Sequence, residues 1–130
     1  MPAASSSDTV RILLVDDDEA FRYALAKSLR EKTFDVVEAS SFRDTLPALE
    51  NGERFDFFVT DLFVPEVHGF ALARMARMKH PNIHCIYITA HDVPTDEAIG
   101  PILKKPFDTS VLIETIEKLH GAPRASGDAS

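Results

Sequence analysis

Short apolar runs alternate with segments of helical period along most of this chain, and no other feature limits its fold as much. Ile12-Leu13-Leu14-Val15 is too continuously apolar for a half-exposed strand, which predicts a central one. Phe55 to Thr60, Ile83 to Ile88 and Ile102 to Lys104 read as further strands, and the more alternating Phe34 to Glu38 reads as an edge strand. Glu19 to Glu31 places Phe21, Leu25, Ser28 and Leu29 on one helical face with Ala20 and Ala24 beside them. Ser41 is the expected cap of a second helix carrying Phe42, Leu46 and Leu49, with Pro47 expected to kink it. Phe70 to Lys79 predicts a third helix with Leu72, Met75 and Met78 as its buried side. Asp108 is the expected cap of a last helix with an apolar stripe of Val111, Leu112, Thr115, Ile116 and Leu119. Such alternation is the signature of parallel βα units. One unit is incomplete. Fifteen residues separate Thr89 from Lys105, the last strand takes three of them, and Pro94, Gly100 and Pro101 interrupt the rest. A mean helix needs about 11 or 12 residues, so the fourth helix must be very short or replaced by a loop.

The runs finish on complementary chemistry. The first ends at Asp16-Asp17-Asp18, the third at Asp61, the fourth at Thr89-Ala90 and the fifth at Lys105-Pro106. If these strands are parallel neighbours, the acids, a hydroxyl and an ammonium meet at the carboxyl edge of one sheet, where open α/β folds bind ligands. Taken singly, each is an ordinary packed or solvated residue; their placement at four strand ends is what makes them a site. Asp16, Asp17 and Asp61 together repel one another unless a cation intervenes. A hard ion such as Mg²⁺ takes one or two carboxylates, keeps several waters and leaves a place for a phosphate oxygen. The histidines (His68, His80, His84, His91 and His120) show no ligand-like pairing, which argues against zinc. Beside Mg²⁺ and an ammonium, a carboxylate is a poor base and a usable nucleophile toward a phosphoryl group.

With 130 residues the chain is of single-domain length. Flexible tails are expected at 1–9 and 121–130 around a domain at 10–120, both ends being small and polar. A formal charge of -7 with scattered basic residues argues against direct nucleic acid binding, which rests on Lys and Arg at phosphates. No stretch is apolar enough to span a membrane, and Met1 to Thr9 lacks the basic and apolar regions of a secretory signal, so a cytoplasmic location is expected. Cys85, the single cysteine, sits in an apolar run and reads as a small buried hydrophobe.

Four segments together resemble the response regulator receiver domain of two-component signalling: Ile12-Leu13-Leu14-Val15-Asp16-Asp17-Asp18-Glu19, Asp61-Leu62-Phe63-Val64-Pro65-Glu66-Val67-His68-Gly69, Ile88-Thr89-Ala90 and Lys105-Pro106-Phe107-Asp108. The resemblance covers about Arg11 to Leu119. It implies a flavodoxin-like doubly wound α/β fold, five parallel strands in the order 2-1-3-4-5 with helices on both faces. It also implies that Asp61 accepts phosphate, that Asp17, Asp61 and the Phe63 carbonyl bind Mg²⁺, and that Asp16 binds it through water. Thr89 would hydrogen-bond the phosphoryl group, Lys105 would pair with it, and the Lys105-Pro106 bond would be cis. The implied partner is a sensor histidine kinase or a histidine phosphotransfer protein, and the implied role is a self-phosphorylating signalling domain, not an enzyme acting on others. The family usually carries an aromatic three residues before the lysine; here Ile102 stands there. A phosphohydrolase resembling the haloacid dehalogenase family, the alternative on a similar sheet, needs an acid two residues after the nucleophile, where this chain has Phe63.

Overall fold

The computed structural model describes residues 9–121. All but Thr9 and Gly121 of the two expected tails lie outside the described residues. The chain runs β1 (Arg11–Val15), α1 (Glu19–Glu31), β2 (Asp35–Ala39), α2 (Phe42–Glu50), β3 (Phe57–Asp61), β4 (Phe63–Val64), β5 (Val67–His68), α3 (Gly69–Lys79), β6 (His84–Thr89), β7 (Ile102–Lys104) and α4 (Thr109–Gly121). The main sheet is parallel and ordered β2-β1-β3-β6-β7. Setting aside the two-residue strands β4 and β5, which pair only with each other, this is the order 2-1-3-4-5 expected from the sequence.

The period of two along each strand sends alternate side chains to opposite faces, and both faces are apolar. Leu13, Val15, Phe58, Cys85 and Tyr87 pack with Phe70, Leu72, Ala73 and Ala76 of α3. Ile12, Leu14, Phe57, Val59, Ile86 and Ile88 pack with Leu25 and Leu29 of α1 and Leu112 and Ile116 of α4. This is why the central runs read as continuously hydrophobic: a parallel sheet covered on both sides has no polar face.

The helix starts follow their caps. Asp18 Oδ1 accepts the Phe21 N–H at the start of α1, and Ser41 Oγ accepts the Asp44 N–H at the start of α2. Asp108, immediately before α4, accepts the Ser110 N–H of its first turn at Oδ1. Pro47 lies inside α2 on its exposed side.

Three buried-face expectations need correction. Met78 is 80% exposed, and Ala73 and Ala76 take the buried side of α3. Counting by threes from Leu72 drifts about 60° per step, so Met78 has left the stripe. Val111 is exposed for the same reason of phase, the stripe of α4 being centred on Leu112 and Ile116. Ala20 and Ala24 of α1 are exposed, and Ala26 is buried with Leu25 and Leu29.

No helix forms between β6 and β7. The segment packs Val93, Ala98 and Ile99 against the α3 side of the core. It is tied down by the Ala98 N–H to the Thr95 carbonyl (3.1 Å) and the Ile99 N–H to the Tyr87 hydroxyl (3.1 Å). Gly100 makes this path possible: a Cβ there would lie 1.7 Å from the Cys85 carbonyl oxygen. The backbone lies directly on β6 at this residue.

Candidate functional site

The carboxyl ends of β1, β3, β6 and β7 meet at one edge of the sheet. Asp16, immediately after β1, is fully buried; Asp61, the last residue of β3, is 9% exposed; Thr89, the last of β6, is fully buried. Lys105, immediately after β7, reaches across with its side chain 18% exposed. Its ammonium donates to Asp61 Oδ2 at 2.8 Å and to Asp16 Oδ2 at 2.9 Å. The Lys105 N–H bonds the Thr89 carbonyl at 2.7 Å, which extends the β6–β7 ladder to the lysine. The Lys105-Pro106 peptide bond is cis.

Each acid is held at its other oxygen by a backbone amide. Asp16 Oδ1 accepts the Asp18 N–H at 2.8 Å, and Asp61 Oδ1 accepts the Phe63 N–H at 2.8 Å. The Asp16 carbonyl accepts from the Arg22 guanidinium (2.7 Å), which also pairs with Glu38 at 3.0 Å. Thr89 Oγ1 accepts the His91 N–H at 3.1 Å. Burial pushes the Asp16 carboxyl above its ordinary range, with the Asp18 amide and the Lys105 ammonium pulling it partway back. For Lys105, burial alone would lower the pKa, but its bonds to Asp61 and Asp16 outweigh that and hold it above the usual value. The ammonium is therefore firmly charged, and it is shared between two carboxylates.

Asp17 stands apart. It is exposed and lines an open cleft of about 500 Å³ with the Leu62 to His68 segment. Phe63 is 49% exposed, its ring edge-on to His68 (5.4 Å) and to His91 (5.2 Å). Gly69 closes this segment against the site: its N–H bonds the Leu62 carbonyl at 2.7 Å, and a Cβ would lie 2.8 Å from the Asp61 carbonyl oxygen. The structure thus joins Asp16, Asp61 and Lys105 directly, sets Thr89 at the end of the strand beside Asp61, and leaves Asp17 and Phe63 at the rim.

Two neighbours of the site were not singled out as functional from the sequence. Arg22 bonds the Asp16 carbonyl, and Phe21, read from the sequence as part of the helix's apolar face, has its ring centroid 4.2 Å from the Lys105 ammonium. A basic and an aromatic residue one turn after an acidic cluster is the only trace of this in the sequence.

The donor set fits a hard cation. All the groups it offers are oxygens, and the carboxylates of Asp16 and Asp61 share one ammonium, leaving negative charge in excess, with Asp17 exposed at the rim. Among the described residues no three His, Cys, Asp or Glu side chains gather into a metal cage. An ion here would keep much of its water, which is how Mg²⁺ is bound.

Residues 12–117 match the family model for the response regulator receiver domain. The chain belongs to this family. Among its relatives is the response regulator receiver protein CpdR of Brucella abortus, 31% identical over 118 residues, 84% of this chain and 95% of that protein. The sensor kinase CckA of the same organism is 31% identical over 125 residues, 90% of this chain, of which the chain spans only 13%. The crystal structure of a response regulator receiver protein from Sinorhizobium medicae superposes with a TM-score of 0.79 at 30% identity, covering 89% of this chain and 98% of that one. Receiver domains are signalling domains of two-component systems, and this chain carries that fold with one helix fewer. No helix among the described residues is long and apolar enough to cross a membrane.

Proposed function

We propose that this receiver domain accepts a phosphoryl group on Asp61 from a sensor histidine kinase or a histidine phosphotransfer protein. It signals by the change in conformation that follows. The observation that carries this reading is the Lys105 ammonium 2.8 Å from Asp61 Oδ2, with the fully buried Asp16 on the same ammonium. A carboxylate so placed has a nucleophilic oxygen beside a fixed positive charge. In the step itself an Asp61 oxygen bonds to phosphorus, the P–N bond to the donor imidazole breaks, and the electron pair leaves with the ring. Lys105 follows the charge onto a phosphoryl oxygen, and the Thr89 hydroxyl hydrogen-bonds another. Asp16, Asp17, Asp61 and the Phe63 carbonyl would hold Mg²⁺, whose chemistry is to neutralise charge on the transferring phosphoryl oxygens. The domain modifies only itself, and its return step is hydrolysis of its own acyl phosphate.

Thr89 is also the hinge to the output. The segment that follows it packs through Val93, Ala98 and Ile99, with Ile99 bonded to Tyr87. Drawing Thr89 toward a phosphoryl oxygen pulls on this segment, in place of the usual inward swing of an aromatic at the position of Ile102.

The test is labelling with acetyl phosphate and Mg²⁺. The expected result is a mass increase of one phosphoryl group on the parent and none on Asp61→Asn. Undiminished labelling of Asp61→Asn overturns the assignment.

A further inference from the structure

The Lys105 ammonium has three N–H donors. Two go to Asp61 and Asp16. The remaining side is covered by the Phe21 ring, 4.2 Å from Nζ to centroid, well within the roughly 6 Å reach of a cation–π contact. With the side chain only 18% exposed, the ring stands where water would otherwise solvate the charge.

The ring is held from two directions, and both belong to the site. Asp16 Oδ1 accepts the Asp18 N–H, and Asp18 Oδ1 in turn accepts the Phe21 N–H (3.1 Å), so the backbone that carries the ring is tied to the buried acid. On the other side Phe107, two residues beyond Lys105, meets the Phe21 ring edge to face at 6.1 Å and 88°. The segment that supplies the acid and the segment that supplies the ammonium thus both fix the ring between them.

We propose that Phe21 is a positioning residue for phosphoryl transfer: its ring face holds the Lys105 ammonium over Asp61, where the ammonium meets the incoming phosphoryl oxygens. This rests on Asp61 as the phosphoacceptor. The reason lies in what changes during the step. As an Asp61 oxygen bonds to phosphorus, and the donor's P–O or P–N bond breaks with its electron pair leaving on the donor, the carboxylate loses its charge. Lys105 must then exchange a carboxylate oxygen for a phosphoryl oxygen. The attraction of the ring depends on its quadrupole and is untouched by this exchange, so it keeps the ammonium in place while the other partners change. Without the ring, water takes the third donor and the side chain regains rotamer freedom.

The experiment separates ring electronics from ring size. Mono-, di- and trifluorinated phenylalanines at position 21 keep the shape and weaken the quadrupole in steps; Phe21→Tyr keeps it, and Phe21→Leu removes it. The rate of labelling by acetyl phosphate at fixed Mg²⁺ is read for each, with Asp61→Asn as blank. The expected result is a stepwise decline with fluorination, a rate near the parent's for Phe21→Tyr, and a fall of roughly five- to tenfold for Phe21→Leu. A second readout needs no reaction: the ring current should shift the Lys105 ε-methylene resonances upfield in the parent and in Phe21→Tyr, and release them in Phe21→Leu. Equal rates across the fluorinated series overturn the proposal, as do ε-methylene resonances that do not move in Phe21→Leu. A parent that takes no label refutes Asp61 as acceptor instead, and the resonances alone then decide whether the ring holds the ammonium. If Phe21→Leu does not fold, the fluorinated series still decides.

Discussion

Gly100→Ala should unfold this domain more readily than its half-buried setting in a loop suggests. The added Cβ would lie 1.7 Å from the Cys85 carbonyl oxygen, where real contacts essentially never fall below 3.0 Å. The obstructing atom is sheet backbone, with no side-chain rotation to relieve it, so the loop must lift by more than an ångström. Two hydrogen bonds flank the glycine and are lost first: the Tyr87 N–H to the Pro101 carbonyl (2.9 Å) and the Ile99 N–H to the Tyr87 hydroxyl (3.1 Å). At about 1 kcal/mol each, together with loosened packing of Ile99 and Ile102 worth about 1 kcal/mol, the cost is about 3 kcal/mol. For a domain of this size that lowers Tm by roughly 10 to 15 °C. Thermal and urea unfolding followed by circular dichroism measure it, with Gly121→Ala as control, since a Cβ there meets nothing within 4 Å. Hydrogen exchange at the Tyr87 amide should quicken in the same variant. A Gly100→Ala protein within about 1 kcal/mol of the parent, with Tyr87 still protected, would show that the loop does not rest on β6 as described.

Asp16→Asn should stabilise the protein at neutral pH by about 1 kcal/mol, because it removes a fully buried charge. The sign follows from its raised pKa: the folded state binds the Asp16 proton more tightly than the unfolded chain, so this group's contribution falls as pH rises from its ordinary value through the raised one. The advantage of Asp16→Asn should shrink on acidification, and urea titrations in which it grows instead would refute the argument. Lys105 has the opposite window: its raised pKa means that the stability it brings is full below its ordinary pKa and is lost as pH rises through the folded value. Unfolding titrations in the alkaline range should therefore show the parent losing stability that Lys105→Met never had. Phe63, half exposed and edge-on to His68 and His91, offers an attacking water no hydrogen bond, so Phe63→Asn should shorten the lifetime of the phosphorylated protein; an unchanged decay rate would remove the ring as the cause.

The alternation of apolar runs and helical periods was enough, in the sequence alone, to determine the layers and the strand ends. A parallel sheet buried on both faces needs continuous apolar strands, and each must be followed by a crossover. That is why Asp16, Asp61, Thr89 and Lys105 could be placed at strand ends from the pattern, while their meeting at one edge was conditional on the strands being parallel neighbours, an order that came from the family resemblance. The lost helix was legible too, as a matter of residues available between Thr89 and Lys105. Helix phase was not: Met78 and Val111 were placed on buried faces, yet both are exposed, because hydrophobicity says that a side chain can be buried and only packing says which way the helix is rolled. The division of labour among the acids was equally hidden. Asp16 and Asp17 are the same residue type in adjacent positions, but one is enclosed under Lys105 and the other faces an open cleft; neighbouring side chains at the end of a strand point to opposite sides, and that difference becomes burial only when the segments after β7 and β1 close over one of them. The same closure set the Phe21 ring against the ammonium. That contact joins residues eighty-four apart along the chain, and no local period records it; it exists because the first and last βα units of the sheet meet at one corner.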